Sequence, residues 1–275
     1  MMRDIITRFA PAPTGFLHLG HVVNAVHVWQ EARARHGRIL LRIEDHDRQR
    51  SRPEFEAAIL EDLAWLGFAA DEPLVRQSER GAIYESALNS LRRQGLVYAC
   101  GCSRAEIVHA GLKACTTFGS ADAELWYPGT CRDRGLADAA GFGVRVRLEP
   151  AVERFVDLRH GPQEQRPSHQ CGDLLARDRD GNWTYQFAAA VDDYLQGVTL
   201  VVRGDDLLAS TGRQIQLARL LGRAEPPQFL HHPLIMKSPG RKLSKSDRDT
   251  GVRELRASGW TPARVIERAM LLAGA

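Results

Sequence analysis

Lysine is almost missing from this sequence. Only Lys113, Lys237, Lys242 and Lys245 stand among 37 basic side chains, and the rest are arginine. An arginine-favouring genome accounts for the bias as a whole. It does not account for two of the four lysines falling inside the run KLSK at 242–245. A flexible ammonium is a point charge that arginine's planar fork does not reproduce, so this run is a candidate site. Long apolar runs are missing too, and no stretch approaches the ~18 residues that a membrane span needs. The opening MMRDIITRFAPAPTG lacks the basic-then-apolar layout of a secretory leader. A cytoplasmic protein with no membrane partner is therefore expected. There is no internal repeat and no low-complexity tract, which excludes solenoid and disordered classes. Neither GxGxxG nor GxxxxGK[ST] occurs, which removes the dinucleotide and P-loop fingerprints. Charge excess is small: net +3 is too mild to require a nucleic-acid partner, yet permits one if the charge is clustered.

What is present reads as an α/β chain of 275 residues, enough for one large domain or a core domain with a sizeable insertion. Residues 3–9 (RDIITRF) form a β-branched strand that runs into the rigid turn Ala10-Pro11-Ala12-Pro13-Thr14-Gly15. Apolar positions at Val22, Val23, Val26, Trp29 and Ala32 predict a helix over 20–35, closed by Gly37. The apolar run RILLRIE (38–44) predicts a buried parallel strand, completing a βαβ unit. Helices are expected at 53–66, 79–94 and 211–221, and from Thr261 through Pro262 to about Leu272. Strands are expected at 143–149 (GVRVRLE), 197–204 (GVTLVVRG) and 229–236 (FLHHPLIM). In open parallel sheets, ligands sit beyond the carboxyl ends of the strands. Arg8 through Gly20, Glu44 and Arg203 all belong to that edge.

His18 and His21 flank Leu19-Gly20 at the start of the first helix. A helix N-terminus presents free N–H groups and positive potential, which suits phosphate, and Gly20 lets a nucleotide approach the backbone. Near the other end, Lys242 and Lys245 follow a loop that carries Gly240. Two ammonium groups can clamp a triphosphate whose leaving pyrophosphate gains charge during reaction. Each motif alone is weak, since histidines often cap helices and lysines often line solvated loops. Their conjunction is specific. Five cysteines, an odd number, argue against a disulfide framework, and four of them within 100–131 suggest a metal. Cys100, Cys102 and Cys131 supply three thiolates, with Cys115, Tyr127 or His109 open as the fourth ligand of a tetrahedral zinc.

The two motifs resemble the HIGH and KMSKS signatures of class I aminoacyl-tRNA synthetases. The segments TRFAPAPTGFLHLGH, LLRIEDHDRQRS, LAWLGF, RQSERGAIYESAL and VDDYLQGVTLVVRGDDLLAST, followed by KLSKS, are similar to the catalytic domain of glutamyl-tRNA synthetases across residues 3–246. The resemblance implies a Rossmann-like parallel sheet with an inserted zinc-bearing subdomain and a short helical C-terminal tail. The corresponding divisions are 1–99, 100–182, 183–246 and 247–275, with no anticodon-binding domain. It implies that His18, Gly20, His21 and Lys245 bind ATP, and that His18, His21, Lys242 and Lys245 stabilise charge with Mg²⁺. It further implies that Arg8, Phe9, Ala10, Pro11, Ala12, Glu44, Tyr185 and Arg203 bind glutamate. Arginines would grip carboxylates, Glu44 would take the ammonium, and Tyr185 would donate from its phenol at a strand end. Ala12 departs from the family, which usually has serine there.

A shorter branch of that family, which glutamylates queuosine in tRNA(Asp), carries CxC followed by Y-x3-C as zinc ligands. The resemblance to it implies Cys100, Cys102, Tyr127 and Cys131 around one structural Zn²⁺ per chain, with Cys171 unligated. The chain ends about 30 residues after KLSKS, so an anticodon-reading module is not expected. The function implied is ATP-dependent activation of L-glutamate and its transfer to queuosine in the anticodon arm of tRNA(Asp), by a monomer. A partner-assisted synthetase charging an acceptor end and a nucleotidylyltransferase are the alternatives.

Overall fold

The first strand, helix and strand form where the residue pattern puts them: β1 (Ile6–Phe9), α1 (Leu19–Ala34) and β2 (Arg38–Ile43). In the computed structural model, which describes residues 4–114, 125–238, 241–242 and 251–274, β1 and β2 pair in parallel, Ile6 opposite Arg38 and Phe9 opposite Leu41. Gly37 is needed for this return, because a Cβ there would lie 2.7 Å from the Ile5 side chain. α2 (Pro53–Leu66) starts on proline and ends on Gly67, which takes the left-handed conformation at φ 84°. β3 (Val75–Arg76) then adds to β2, again in parallel.

The chain continues through α3 (Gly81–Arg93), β4 (Val97–Cys100), α4 (Arg104–Ala114), β5 (Gly143–Val146), β6 (Glu153–Asp157) and β7 (Gly161–Gln165). Next come α5 (Pro167–Gln170), β8 (Leu174–Arg177), α6 (Tyr185–Leu195), β9 (Leu200–Gly204), α7 (Thr211–Leu220) and β10 (Gln228–His232). The last described elements are β11 (Met236–Ser238), β12 (Arg241–Lys242), α8 (Val252–Ala257) and α9 (Pro262–Ala273).

β1 and β9 meet at the centre. The Thr199 amide donates to the Ile6 carbonyl at 2.8 Å, and the Ile6 amide donates to Thr199 Oγ1 at 2.8 Å. The sheet therefore runs β3-β2-β1 on one side of this line and β9-β10-β6-β7 on the other. All neighbours are parallel except the edge strand β7. Strand order reverses between β1 and β9, which opens a crevice at their carboxyl ends. Val22, Val26 and Trp29 of α1 share one buried cluster with Ile39 and Ile43 of β2, Val202 of β9, and Val265 and Ala269 of α9.

Three features depart from the residue pattern. The 100–182 stretch, read as one inserted region, divides between two sheets: β6 joins β10 in the central sheet, while β5 pairs with β4 on one side and β8 on the other in an antiparallel one. Arginine alternates with apolar residues along GVRVRLE, yet all four residues of β5, Arg145 included, are buried. The polar tail also holds the six-residue helix α8, too short to show a period.

Asp62 on α2 is 1% exposed, and neither carboxylate oxygen has a hydrogen-bond partner among the described residues. Burial pushes its carboxyl up to about 6 despite the attraction of Arg253. A raised carboxyl weakens the fold where it must ionise. The penalty is absent below about pH 4, grows as pH rises toward 6 and is complete above that. Asp62→Asn, which imitates the protonated acid, is expected to stabilise the protein by about 2–3 kcal/mol near neutral pH and to have no effect near pH 3. Denaturant titrations at the two pH values check this.

Candidate active site

His18 caps α1 and His21 sits one turn in. His18 Nδ1 accepts from the Gly20 amide at 3.1 Å, and His21 Nδ1 accepts from the His18 amide at 3.1 Å. This reciprocal arrangement satisfies two backbone donors of the helix start. It also assigns the tautomers: with Nδ1 accepting, each neutral ring carries its proton on Nε2, as a donor. The rings lie 3.9 Å apart between centroids. Gly20 makes this possible, since a Cβ there would come within 2.9 Å of His18 Cε1. The chain that follows the KLSKS run reaches this corner at residues 251 and 252. Gly251 bridges to His18, and the Val252 amide donates to the Leu17 carbonyl at 2.9 Å. At the start of the run, Lys242 pairs with Met236 through the backbone. Lys245 lies outside the described residues.

Beside the histidines, at the carboxyl ends of β1 and β2, is a buried ionic frame. Arg8 Nε donates to Asp193 Oδ1 at 3.0 Å, and Arg42 Nη1 donates to the same oxygen at 2.8 Å. Arg42 Nη2 holds Glu44 at 3.1 Å. Burial, the largest single effect, pushes the Asp193 carboxyl up, but the guanidiniums of Arg8 and Arg42 together outweigh it and bring it down to about 2. Asp192 anchors the lower side, taking hydrogen bonds from Gln77 Nε2 and the Tyr84 hydroxyl at 2.8 Å each and from Arg80 Nε at 2.7 Å. The turn at residues 10–12 rests on this frame, as the Glu44 amide donates to the Pro11 carbonyl at 3.0 Å.

Arg203, at the end of β9, is 3% exposed, and its partners among the described residues are neutral. Nε donates to His231 Nε2 at 3.0 Å, Nη1 to Gln214 Oε1 at 2.6 Å and Nη2 to Thr211 Oγ1 at 2.8 Å. His231 can accept there because its Nδ1 proton is committed to Asp157 at 2.6 Å. Burial, reinforced by Arg203, pushes the His231 ring down to about 4, so it is neutral at physiological pH. Tyr185 stands close to Arg203, Glu44 and Arg8, and burial pushes its phenol up.

Arg8, Glu44, Tyr185 and Arg203 thus converge. Tyr185 is not at a strand end, however. It is the first residue of α6, whose packing register a single sequence does not display. The Phe9 side chain points into the core against Trp29, which leaves its main chain to border the crevice. Arg42, Asp192, Asp193, His231 and Asp157 were not singled out from sequence. Their one signal is charge inside otherwise apolar runs. Other acids serve locally: Asp45 caps the turn before α3 through the Ser78 amide at 2.8 Å, and Asp47 pairs with Arg50.

The cysteine cluster forms away from the crevice. The sulfurs of Cys100, Cys102 and Cys131 lie within 4.8 Å of one another. Tyr127 Oη faces them, 3.3 Å from Cys100 Sγ and 3.9 Å from Cys102 Sγ. Burial pushes the Cys131 thiol up, but hydrogen bonds from Tyr127 and the Gly101 backbone outweigh it and bring it to about 7. Gly172, in the left-handed conformation at φ 68°, lets this loop close: a Cβ there would be 1.8 Å from the Tyr127 carbonyl oxygen. Three convergent sulfurs and a buried phenol oxygen fit a thiophilic divalent metal. His109 is exposed on α4, Cys115 lies outside the described residues, and Cys171 Sγ instead faces the Pro167 carbonyl at 3.2 Å.

The family described as tRNA synthetases class I (E and Q), catalytic domain, matches residues 4–274. The chain belongs to that family, within its glutamyl-Q tRNA(Asp) synthetase branch. It is 46% identical over 245 residues to the glutamyl-Q tRNA(Asp) synthetase of Bordetella bronchiseptica, covering 89% of this chain and 76% of that one. It is 40% identical over 276 residues to that of Rhodobacter capsulatus, covering 95% and 98%. Among solved structures, a glutamate tRNA ligase from Elizabethkingia meningosepticum in complex with its amino acid superposes with a TM-score of 0.74 at 29% identity, across 90% of this chain. This chain spans about half of that protein, 53%.

Asp193 neutralises two buried guanidiniums. A depressed carboxyl contributes stability that is complete above its unfolded pKa and is lost as pH falls through the folded one. Asp193→Asn is expected to cost about 3 kcal/mol near neutral pH. The gap from wild type should close as pH falls from about 4 toward 2, measured by chemical denaturation.

Proposed function

We propose that this protein activates L-glutamate with ATP as glutamyl-adenylate and transfers the glutamyl group to queuosine in the anticodon arm of tRNA(Asp). The observation that carries the amino-acid assignment is Arg203. A buried guanidinium without a paired carboxylate is costly, and this one, with Tyr185 beside it, suits an incoming substrate carboxylate. Glu44 is 6% exposed and accepts the substrate ammonium, while Arg42 holds it in place. The turn at Ala10, Pro11 and Ala12 offers backbone groups alongside. Arg8 is committed to Asp193 and acts chiefly by holding the pocket's shape.

In the first step a glutamate carboxylate oxygen attacks the α-phosphorus of ATP and pyrophosphate leaves. His18 and His21 donate from Nε2 to phosphate oxygens as charge moves onto them, and Gly20 keeps the helix start open. Lys242 and Lys245 balance the departing pyrophosphate. Mg²⁺, when bound with ATP, supplies further charge neutralisation. In the second step a queuosine hydroxyl attacks the activated carbonyl and AMP leaves. No protein nucleophile is required, and positioning supplies most of the acceleration. Cys100, Cys102, Tyr127 and Cys131 hold one zinc ion, which braces the antiparallel sheet and, with four protein ligands, leaves no open position. Support for the tRNA(Asp) assignment comes from the names of the curated relatives.

The test is ATP–pyrophosphate exchange with glutamate in the absence of tRNA, followed by transfer of labelled glutamate to tRNA(Asp) with and without queuosine. Exchange and queuosine-dependent transfer are expected. Activation followed by charging of an acceptor end instead would replace the second half of the proposal. Lys245→Ala is expected to reduce exchange by at least about 100-fold with the fold intact; wild-type exchange would remove Lys245 from the mechanism.

A further inference from the structure

Arg145, on β5, is 7% exposed, yet no carboxylate forms an ion pair with it among the described residues. Its neighbours differ: Arg132 pairs with Asp173 and Arg147 with Asp133. The Arg145 guanidinium lies flat over the Tyr127 ring, 3.6 Å from its centroid. Its Nε donates to Cys100 Sγ at 3.3 Å, and its Nη1 is fixed by the Asp173 carbonyl at 2.8 Å. The side chain therefore touches two members of the cluster at once, one through a ring face and one through sulfur.

A buried cation needs an anion. The Asp173 carboxylate is taken by Arg132 and the Tyr98 hydroxyl, so among the described groups that the Arg145 side chain touches, the sulfur and the phenol are the ones able to become anionic. The reverse need is as strong. Three thiolates and a phenolate around a divalent ion sum to a charge of minus two, which is expensive inside a protein. One guanidinium halves it. Stacking also restricts rotation of the Tyr127 ring, whose Oη already accepts from the Cys131 amide at 2.9 Å. Both effects favour the ligand geometry before any metal arrives.

We propose that Arg145 is a positioning residue of the metal centre, whose stacked guanidinium holds the Tyr127 ring in place and offsets the negative charge of the cysteine sulfurs. This rests on Cys100, Cys102, Tyr127 and Cys131 being the metal ligands. Partners that orient metal ligands typically change affinity by about 10- to 100-fold. Arg145→Met keeps the length of the stem without charge or fork, and is expected to weaken zinc binding by that factor. Arg145→Lys keeps charge without the planar stack or the Nε donor, and is expected to lose less. Arg147→Met, a neighbour outside the cluster, is expected to bind zinc as wild type does.

The measurement is chelator competition for zinc on the full chain, together with the visible and near-ultraviolet spectrum of the cobalt-loaded protein. Thiolate and tyrosinate charge-transfer bands of cobalt report the ligands directly. In Arg145→Met the tyrosinate band should weaken or shift, which a merely structural contribution of Arg145 would not cause. Wild-type zinc affinity and an unchanged cobalt spectrum in Arg145→Met overturn the proposal while leaving the metal site standing. If Arg145→Met does not fold, wild-type affinity and spectrum in Arg145→Lys overturn it equally. If wild type takes up no stoichiometric zinc or cobalt, the ligand assignment fails first and the role of Arg145 falls with it.

Discussion

The contact on which the crevice depends is the one among Arg8, Arg42 and Asp193. It joins β1, β2 and α6 where each of the three charged side chains is more than nine-tenths buried. Ions in such a place are costly, and good geometry only just compensates. The consequence is selectivity of arrangement. If β2 slipped by one residue against β1, Arg42 would leave Asp193 and at least one charge would be stranded. The correct register therefore carries a penalty for its alternatives, and that register places Glu44 at the mouth of the crevice. Asp192 extends the same logic to α3 through Tyr84 and Arg80.

Around this frame, three remote segments are drawn to one edge for separate reasons. α1 starts there because His18 and His21 satisfy its first amides. The region after KLSKS returns there because Gly251 and Val252 pair with His18 and Leu17, and because α9 packs on α1 in the same buried cluster. Arg203 is aimed there by a relay in which Asp157 orients His231 and neutral His231 accepts from Arg203. That relay leaves Arg203 a cation among neutral partners, unlike Arg8 and Arg42. Arg145 is in the same condition at the cysteine cluster. In both places a buried guanidinium without a carboxylate marks a position that an anion, from the substrate or from ionised ligands, would complete.

Much of this was legible from residues. The first βαβ unit followed from β-branched runs and a 3.6-residue period, and α2 from Pro53 and Gly67 at its two ends. The grouping of Cys100, Cys102 and Cys131 followed from their density in the chain. Other features were hidden for identifiable reasons. β6 and β7 lie in an irregular stretch, and β10, the partner of β6, follows some 70 residues later; local pattern cannot report such pairing. Tyr185 read as a strand-end residue because the start of α6 carries no side-chain cap. Arg42 was not singled out within its apolar strand, because its meaning is supplied by Asp193, 151 positions away.

The order of amino acids alone was enough to specify local chemistry: a helix start flanked by two imidazoles, two lysines three apart after a glycine, and three thiols close enough in the chain to meet. Folding in three dimensions decided which charges cancel and which remain available. That outcome depends on contacts between residues far apart in the chain, made in a medium where an unpaired ion is too costly to persist. No local spacing rule encodes those contacts, so only the folded protein separates Arg8 and Arg42, paired with carboxylates, from Arg203 and Arg145, which are not.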